Sequence, residues 1–281
     1  MSNENFDALW DYDHPAETEK TFRALLAQTD GARRFELLTQ IARAQGLQGN
    51  FADGHATLDE VERDLSAEAS AARVRLLLER GRLFNSAGEP QRAHPCFTQA
   101  WEFGQQIGEI GYAVDAGHML GILEAPSLDW SMKALELAQT SDDPRARRWL
   151  ATLYNNIGWT LHDRGDYAQA LDMFERAVPL REAQGTPAPL RIARWAVARA
   201  LRSLNRLDEA LAIQRSLAAQ LASAGERDGY VDEELGECLL ALGRADDARP
   251  HFARAYELLS QDSWLAQHEP ERLERLRQLS A

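Results

Sequence analysis

Six small residues, Ala42, Gly81, Gly117, Gly158, Ala198 and Gly236, recur about every 40 positions along this chain. No other feature narrows the fold as far. Each lies in a stretch that otherwise reads as helix, as in LYNNIGWTLHDRG (153–165). A glycine inside a helix costs about 1 kcal/mol relative to alanine, so glycines in phase imply a physical need, the close approach of a second helix.

The companions of these residues are also in phase. Three positions later come Gln45, Phe84, Leu120, Leu161, Leu201 and Leu239, one helical turn on and on the same side. Seven positions later come Gly49, Gly88, Gly165, Asn205 and Gly243, with Glu124 as the exception. Glycine and asparagine tolerate the left-handed conformation that closes a helix, so this position reads as a repeated stop. A second small residue follows (Gly54, Ala93, Ala170, Ala210, Ala248), then Leu58, Phe97, Phe174, Gln214 and Phe252, sixteen positions after the first. Each repeat is therefore helix, tight turn, helix.

Length and composition suit such an array: 281 residues, 44% of them hydrophobic, can bury apolar faces by stacking. The net charge is −13, and only Lys20 and Lys133 among 31 basic residues are lysines, which argues against a basic nucleic-acid-binding surface. MSNENFDALW lacks the basic start and apolar run of a signal peptide, and no segment has the roughly 20 apolar residues of a membrane span. A cytoplasmic protein that binds neither membrane nor nucleic acid is expected. Cys96 and Cys238 are expected as reduced thiols.

The pattern resembles the tetratricopeptide repeat family, which has a small residue between apolar ones on the first helix and an alanine and an aromatic on the second. Tyr154, Ile157, Gly158, Leu161, Ala170, Phe174 and Ala177 carry the best match. With Asn155, Asn156 and the LRE of 180–182, this repeat is similar to the longer repeats of kinesin light chains. The resemblance implies an all-α, right-handed superhelical solenoid of about six helix pairs, near residues 32–68, 69–107, 108–141, 142–186, 187–225 and 226–260. Capping helices are expected in 1–31 and 261–281. The third repeat departs from the pattern: LEAPSLDW (123–130) replaces the stop, and Pro126 is expected to open its second helix.

In that family the stacked first helices line a concave groove. The resemblance places there Arg43, Arg75, Arg82, Asn85, His118, Asn155, Asn156, Trp159, His162, Trp195, Arg199, Arg202 and Tyr230. Asparagine carries both a donor and an acceptor and can pair with any peptide backbone. Guanidinium groups suit carboxylates, and the two indoles can hold an apolar anchor. The expected ligand is an acidic protein or peptide segment with a large apolar residue, its far end kept from Glu233 and Glu237. Enzymatic motifs are missing: there is no GxxxxGK[ST], HExxH or GxSxG, and no two of the seven histidines have metal-ligand spacing on one helix turn. No cofactor or metal is expected. The leading reading is a non-enzymatic interaction scaffold. The alternatives are a peptide-responsive sensor and an enzyme built on His118 or His162.

Overall fold

The computed structural model describes residues 6–65 and 70–281. Among these there are helices and no strands, and the chain divides into two compact units, residues 1–153 and 154–281. The expected border between the first two repeats, at 68/69, lies outside the described residues.

The N-terminal unit begins with a 3-10 turn, Phe6–Leu9, and α1, Pro15–Leu26. Three helix pairs follow: α2 Gly31–Leu47 with α3 Phe51–Asp64, α4 Ala71–Ser86 with α5 Pro90–Gln106, and α6 Ile110–Leu123 with α7 Asp129–Thr140. The short α8, Pro144–Arg147, and the first turn of α9, Leu150–Asp163, complete it. The C-terminal unit pairs α9 with α10, Tyr167–Gln184; α11, Pro187–Ser203, with α12, Leu207–Ser223; and α13, Gly229–Ala241, with α14, Ala245–Leu259. Two short helices end it, α15 Ser263–His268 and α16 Pro270–Leu279, where the sequence suggested one. Glu269, which precedes Pro270, takes φ −129°, ψ 46°, outside the helical region, and breaks the run, and Leu273 and Leu276 of α16 are buried.

The in-phase glycines are seats for aromatic rings. A Cβ on Gly158 would lie 2.5 Å from Cε1 of Phe174, sixteen positions on, and one on Gly81 or Gly236 would lie 2.6 or 2.7 Å from the matching atom of Phe97 or Phe252. No real Cβ packs so closely, so these rings reach their helix partner only because the side chain opposite is missing. Where the seat is alanine, the partner is smaller: Leu58 opposite Ala42 and Gln214 opposite Ala198. Gln214 is fully buried, and neither amide atom has a hydrogen-bond partner. The small residue and its partner trade volume from repeat to repeat.

The stops are also as the spacing predicts. Gly49, Gly88, Gly165, Asn205 and Gly243 all take positive φ, between 59° and 85°. In each case the next amide donates back to the carbonyl five residues earlier, as Asp166 N–H does to Leu161 at 2.9 Å.

One local expectation is corrected. Pro126 does not open the second helix of the third repeat; α7 begins at Asp129. Glu124, which is not glycine, stays right-handed at φ −97°, and the chain turns through 124–128 while the Glu124 carboxylate accepts the Trp130 indole N–H at 2.9 Å. Trp101, from the preceding helix, supplies the ring over Gly117, where a Cβ would lie 2.6 Å from its Cζ3. Trp149 lies in a break between α8 and α9, where its amide bonds Ala146 three residues back in place of four.

Volume trading between seat and ring gives a direct test. Gly158→Ala should destabilise the protein by about 1–3 kcal/mol through overpacking. Adding Phe174→Leu, the Ala42/Leu58 combination, should recover part of that loss, and chemical denaturation of the two single variants and the double variant measures the coupling.

Candidate functional site

The first helix of each pair presents a face made of residues just before and after the small position. In the C-terminal unit this face is aromatic. Trp159 on α9, Trp195 on α11 and Tyr230 on α13 follow one another with ring centroids 5.8 and 6.4 Å apart, and the Trp195 indole N–H donates to the Tyr230 carbonyl at 3.1 Å. Trp159 is supported from behind by Phe174, 5.0 Å away. The glycine seat therefore places the ring that carries the half-buried Trp159 indole. Beside the run a cavity of about 500 Å³ is lined by Ala188, Ile192, Trp195, Tyr230 and Val231, with Arg191 and Asp228 at its edge. Ile192 is 59% exposed there, an unusual position for a large aliphatic side chain.

One helical turn from Trp195, Arg199 and Arg202 share one carboxylate. Arg202 holds Glu234 with two bonds of 2.8 and 2.9 Å, while Arg199 reaches it at 3.3 Å. Burial acts against both charges. It is overcome at Arg202, held above its ordinary value by the bond to Glu234, and prevails at Arg199, whose pKa is lowered. Glu233 and Glu237 are engaged elsewhere, by Arg272 and Arg275 of α16. The face thus carries one positive charge in excess, at Arg199. His162 lies in the same region, with Nε2 2.9 Å from Ser203 Oγ and its ring against Trp159. Burial first, and then Arg199, push its pKa below the ordinary 6.5. Asn155 Nδ2 donates to Asn156 Oδ1 at 3.2 Å, so the two amides act as a linked pair.

The N-terminal unit distributes its predicted residues differently. Arg82 is clamped between Glu79 at 2.6 Å and Asp115 at 2.5 Å; burial opposes its charge, and the two carboxylates more than restore it. Arg43 lies 3.6 Å from Glu79, and Arg75 lies 3.6 Å from Glu36 and donates to the Tyr112 hydroxyl at 2.9 Å. Here the charges balance. Arg43 and Arg75 line a pocket of about 360 Å³ with Tyr112, Arg145, Arg148 and Trp149. Arg43, Arg82 and Asn85 line a smaller one of about 240 Å³. His118 stacks at a tilt on Trp149, 4.9 Å between centroids, and burial lowers its pKa.

The sequence reading missed the carboxylates. Glu79, Asp115 and Glu234 all stand two positions before the small residue and are buried, as is Gln40 at the equivalent place. That polar column is a signal the spacing contains, since an apolar-flanked helix has no other use for buried acids than pairing. Among the described residues, no group of three His, Cys, Asp or Glu side chains is arranged to hold a metal ion, and no helix is long and apolar enough to cross a membrane.

The geometry defines a class, stacked helix-pair repeats with a ligand-sized face on the first helices. The family model for the tetratricopeptide repeat matches residues 127–183, a stretch that includes Asn155, Asn156, Trp159 and His162. Solved structures share the fold. BtubC (BKLC) from P. vanneervenii is 16% identical, with 80% of this chain and 94% of that chain covered and a TM-score of 0.60. A signal transduction ATPase with numerous domains and a tetratricopeptide repeat sensor, from Pyrococcus horikoshii, is 13% identical over 94% of this chain and 44% of that chain, with a TM-score of 0.69. A Rap protein complexed with competence and sporulation factor is 16% identical over 94% of this chain and 80% of that chain, with a TM-score of 0.55. No curated protein sequence matches the chain.

Two measurements follow. Glu234→Gln leaves two partly buried guanidiniums without a counter-charge and should cost about 3 kcal/mol in a denaturation experiment. Because His118 and His162 have folded pKa values below 6.5, the unfolded chain takes up protons first as the pH falls. Stability should therefore decline as the pH drops through 6.5 toward those lowered values. The fall in thermal midpoint between about pH 7.5 and about pH 5.5 should be smaller in His118→Gln/His162→Gln.

Proposed function

We propose that this chain is a non-enzymatic interaction protein that binds a peptide segment of another protein on the first-helix face of its C-terminal unit. The observation that carries the reading is the run Trp159, Trp195 and Tyr230 beside an apolar cavity, with Arg199 one turn away and short of a counter-charge. An aromatic or aliphatic anchor enters the cavity against Trp195, Ile192 and Val231. A carboxylate of the same segment pairs with Arg199, which Glu234 serves less closely than it serves Arg202. Asn155 and Asn156 offer amides to the segment's backbone. The ligand is therefore an acidic segment with a large apolar residue. Arg43, Arg75, Arg82, Asn85 and His118 belong to a charge-balanced face in the other unit and contribute less to acid recognition.

A sensing role is a second reading, supported by the nature of two proteins that share the fold, the Rap protein held with its factor and the ATPase with a repeat sensor. In that case binding would change the conformation of the chain as well as occupy it.

Selection of a random peptide display library on the immobilised protein tests the main reading. The enriched peptides should combine Asp or Glu with an aromatic or large aliphatic residue. Trp195→Ala and Arg199→Glu should each weaken a selected peptide by about tenfold or more, and affinity should fall with added salt. Enrichment of basic peptides, or binding to both variants as tight as to wild type, would reject the site. Ligand-induced compaction in small-angle scattering would favour sensing over simple scaffolding.

A further inference from the structure

The N-terminal unit holds a peptide on its own first-helix face. Phe6 is buried among Phe22, Leu37 and Leu38 and anchors the segment that leads to α1. Beyond it, Trp10 and Tyr12 stack on each other with centroids 4.8 Å apart and planes 8° from parallel. The Trp10 indole N–H donates to Gln40 Oε1 at 2.8 Å, and the Arg43 guanidinium lies 5.5 Å from each of the two rings. Gln40 and Arg43 stand two before and one after Ala42, the register that Asn156 and Trp159 occupy around Gly158. The segment therefore lies on the face that, in the other unit, carries the proposed binding site.

Its hold is uneven. Phe6 is fixed in the core, whereas Tyr12 is 56% exposed and lines the mouth of the pocket that Arg75, Tyr112 and Arg145 help to form. Exposed cation–π contacts are weak, and Trp10 and Tyr12 rely on Arg43 for theirs. The acid between them takes no part, because the Asp11 carboxylate is turned back to His14 Nδ1 at 3.0 Å and to the amides of Asp13 and His14. Contact with α2 rests on two rings and one indole N–H, while α1 holds the segment through Phe22, 5.4 Å from the Trp10 ring, and through Thr18, whose hydroxyl accepts from the Asp11 amide at 3.1 Å and donates to the Asp11 carbonyl at 2.9 Å.

We propose that Trp10-Asp11-Tyr12 is a displaceable occupant of the first-helix face of the N-terminal unit, and that this face accepts from a partner a segment with two aromatic residues in the same alternate spacing. Gln40 reads the indole N–H and Arg43 packs on both rings. Such a partner exchanges with the chain's own segment while Phe6 stays anchored. The inference concerns a different unit from the acidic-peptide face and stands or falls independently of it.

A fluorescein-labelled peptide of residues 9–14, LWDYDH, is the probe. It should bind the full-length Trp10→Ala/Tyr12→Ala variant about tenfold or more tightly than it binds wild type, because occupancy in cis reduces apparent affinity by the fraction of open face. Adding Gln40→Leu and Arg43→Ala to the opened variant should abolish binding, as should moving the two aromatics next to each other in the peptide. Tyr12→Ala alone removes an exposed ring, keeps the fold, and should give an intermediate gain, which guards against a double variant that folds poorly. Equal affinity for wild type and both opened variants, no binding to any of them, or binding insensitive to Gln40 and Arg43 would overturn the proposal. Concentration-dependent dimerisation of wild type that disappears in Trp10→Ala/Tyr12→Ala would assign the segment to a second copy and overturn the occupancy in cis.

Discussion

The contact between a missing side chain and an aromatic ring governs this protein. At Gly81, Gly158 and Gly236 the ring of the paired helix occupies the space a Cβ would need, so each pair is locked in one register. The loss of helix propensity at each glycine is about 1 kcal/mol, and burying a phenylalanine side chain returns about 1.5–3 kcal/mol. The exchange is favourable, and it is local, which lets the same device repeat without long-range coordination. It also sets the surface: Phe174 reaches Gly158 on one side and supports Trp159 on the other.

A second column, two residues before each seat, turns the packed helix face into a charged one. Glu79, Asp115 and Glu234 are buried and draw arginines from their own or neighbouring first helices. Half-buried arginines held this way would lose little further conformational entropy to a ligand of the proposed kind. The two units differ in stoichiometry. In one, Arg43, Arg75 and Arg82 meet Glu36, Glu79 and Asp115; in the other, Arg199 and Arg202 divide Glu234 between them. A strongly acidic chain thus keeps one local site with cationic character.

Much of the fold was legible because its determinants are local. A glycine seat, a ring sixteen residues on and a left-handed stop between them are spacing rules within one helix pair, and Gly158, Gly165 and Phe174 obey them openly. The irregular third repeat was legible as irregular but not in its resolution, since the ring over Gly117 comes from Trp101 of the preceding helix, outside the pattern. The break at Trp149 has no glycine or proline to announce it. The register of the candidate site could be read, whereas the pairing of its arginines could not, because which acid each one meets depends on how neighbouring helices align. The occupancy of Gln40 and Arg43 by Trp10 and Tyr12 was hidden for the same reason: a contact between residues 10 and 40 leaves no periodic trace.

Gln214 gives one helix pair a different mechanical character. It occupies the place that Phe97, Phe174 and Phe252 fill elsewhere, and its amide is sealed from water with nothing to bond. An unsatisfied buried amide costs about 1–3 kcal/mol, which is released whenever α11 and α12 part enough to admit a water molecule. Opening of this pair is therefore less costly than its burial alone implies, and α11 is the helix that bears Trp195 and Arg199. Because α11 also lines the apolar cavity, the proposed ligand would meet a wall backed by a pair that can yield locally, where side chains of different bulk would be accommodated and discrimination among them would fall to the charged turn beside it.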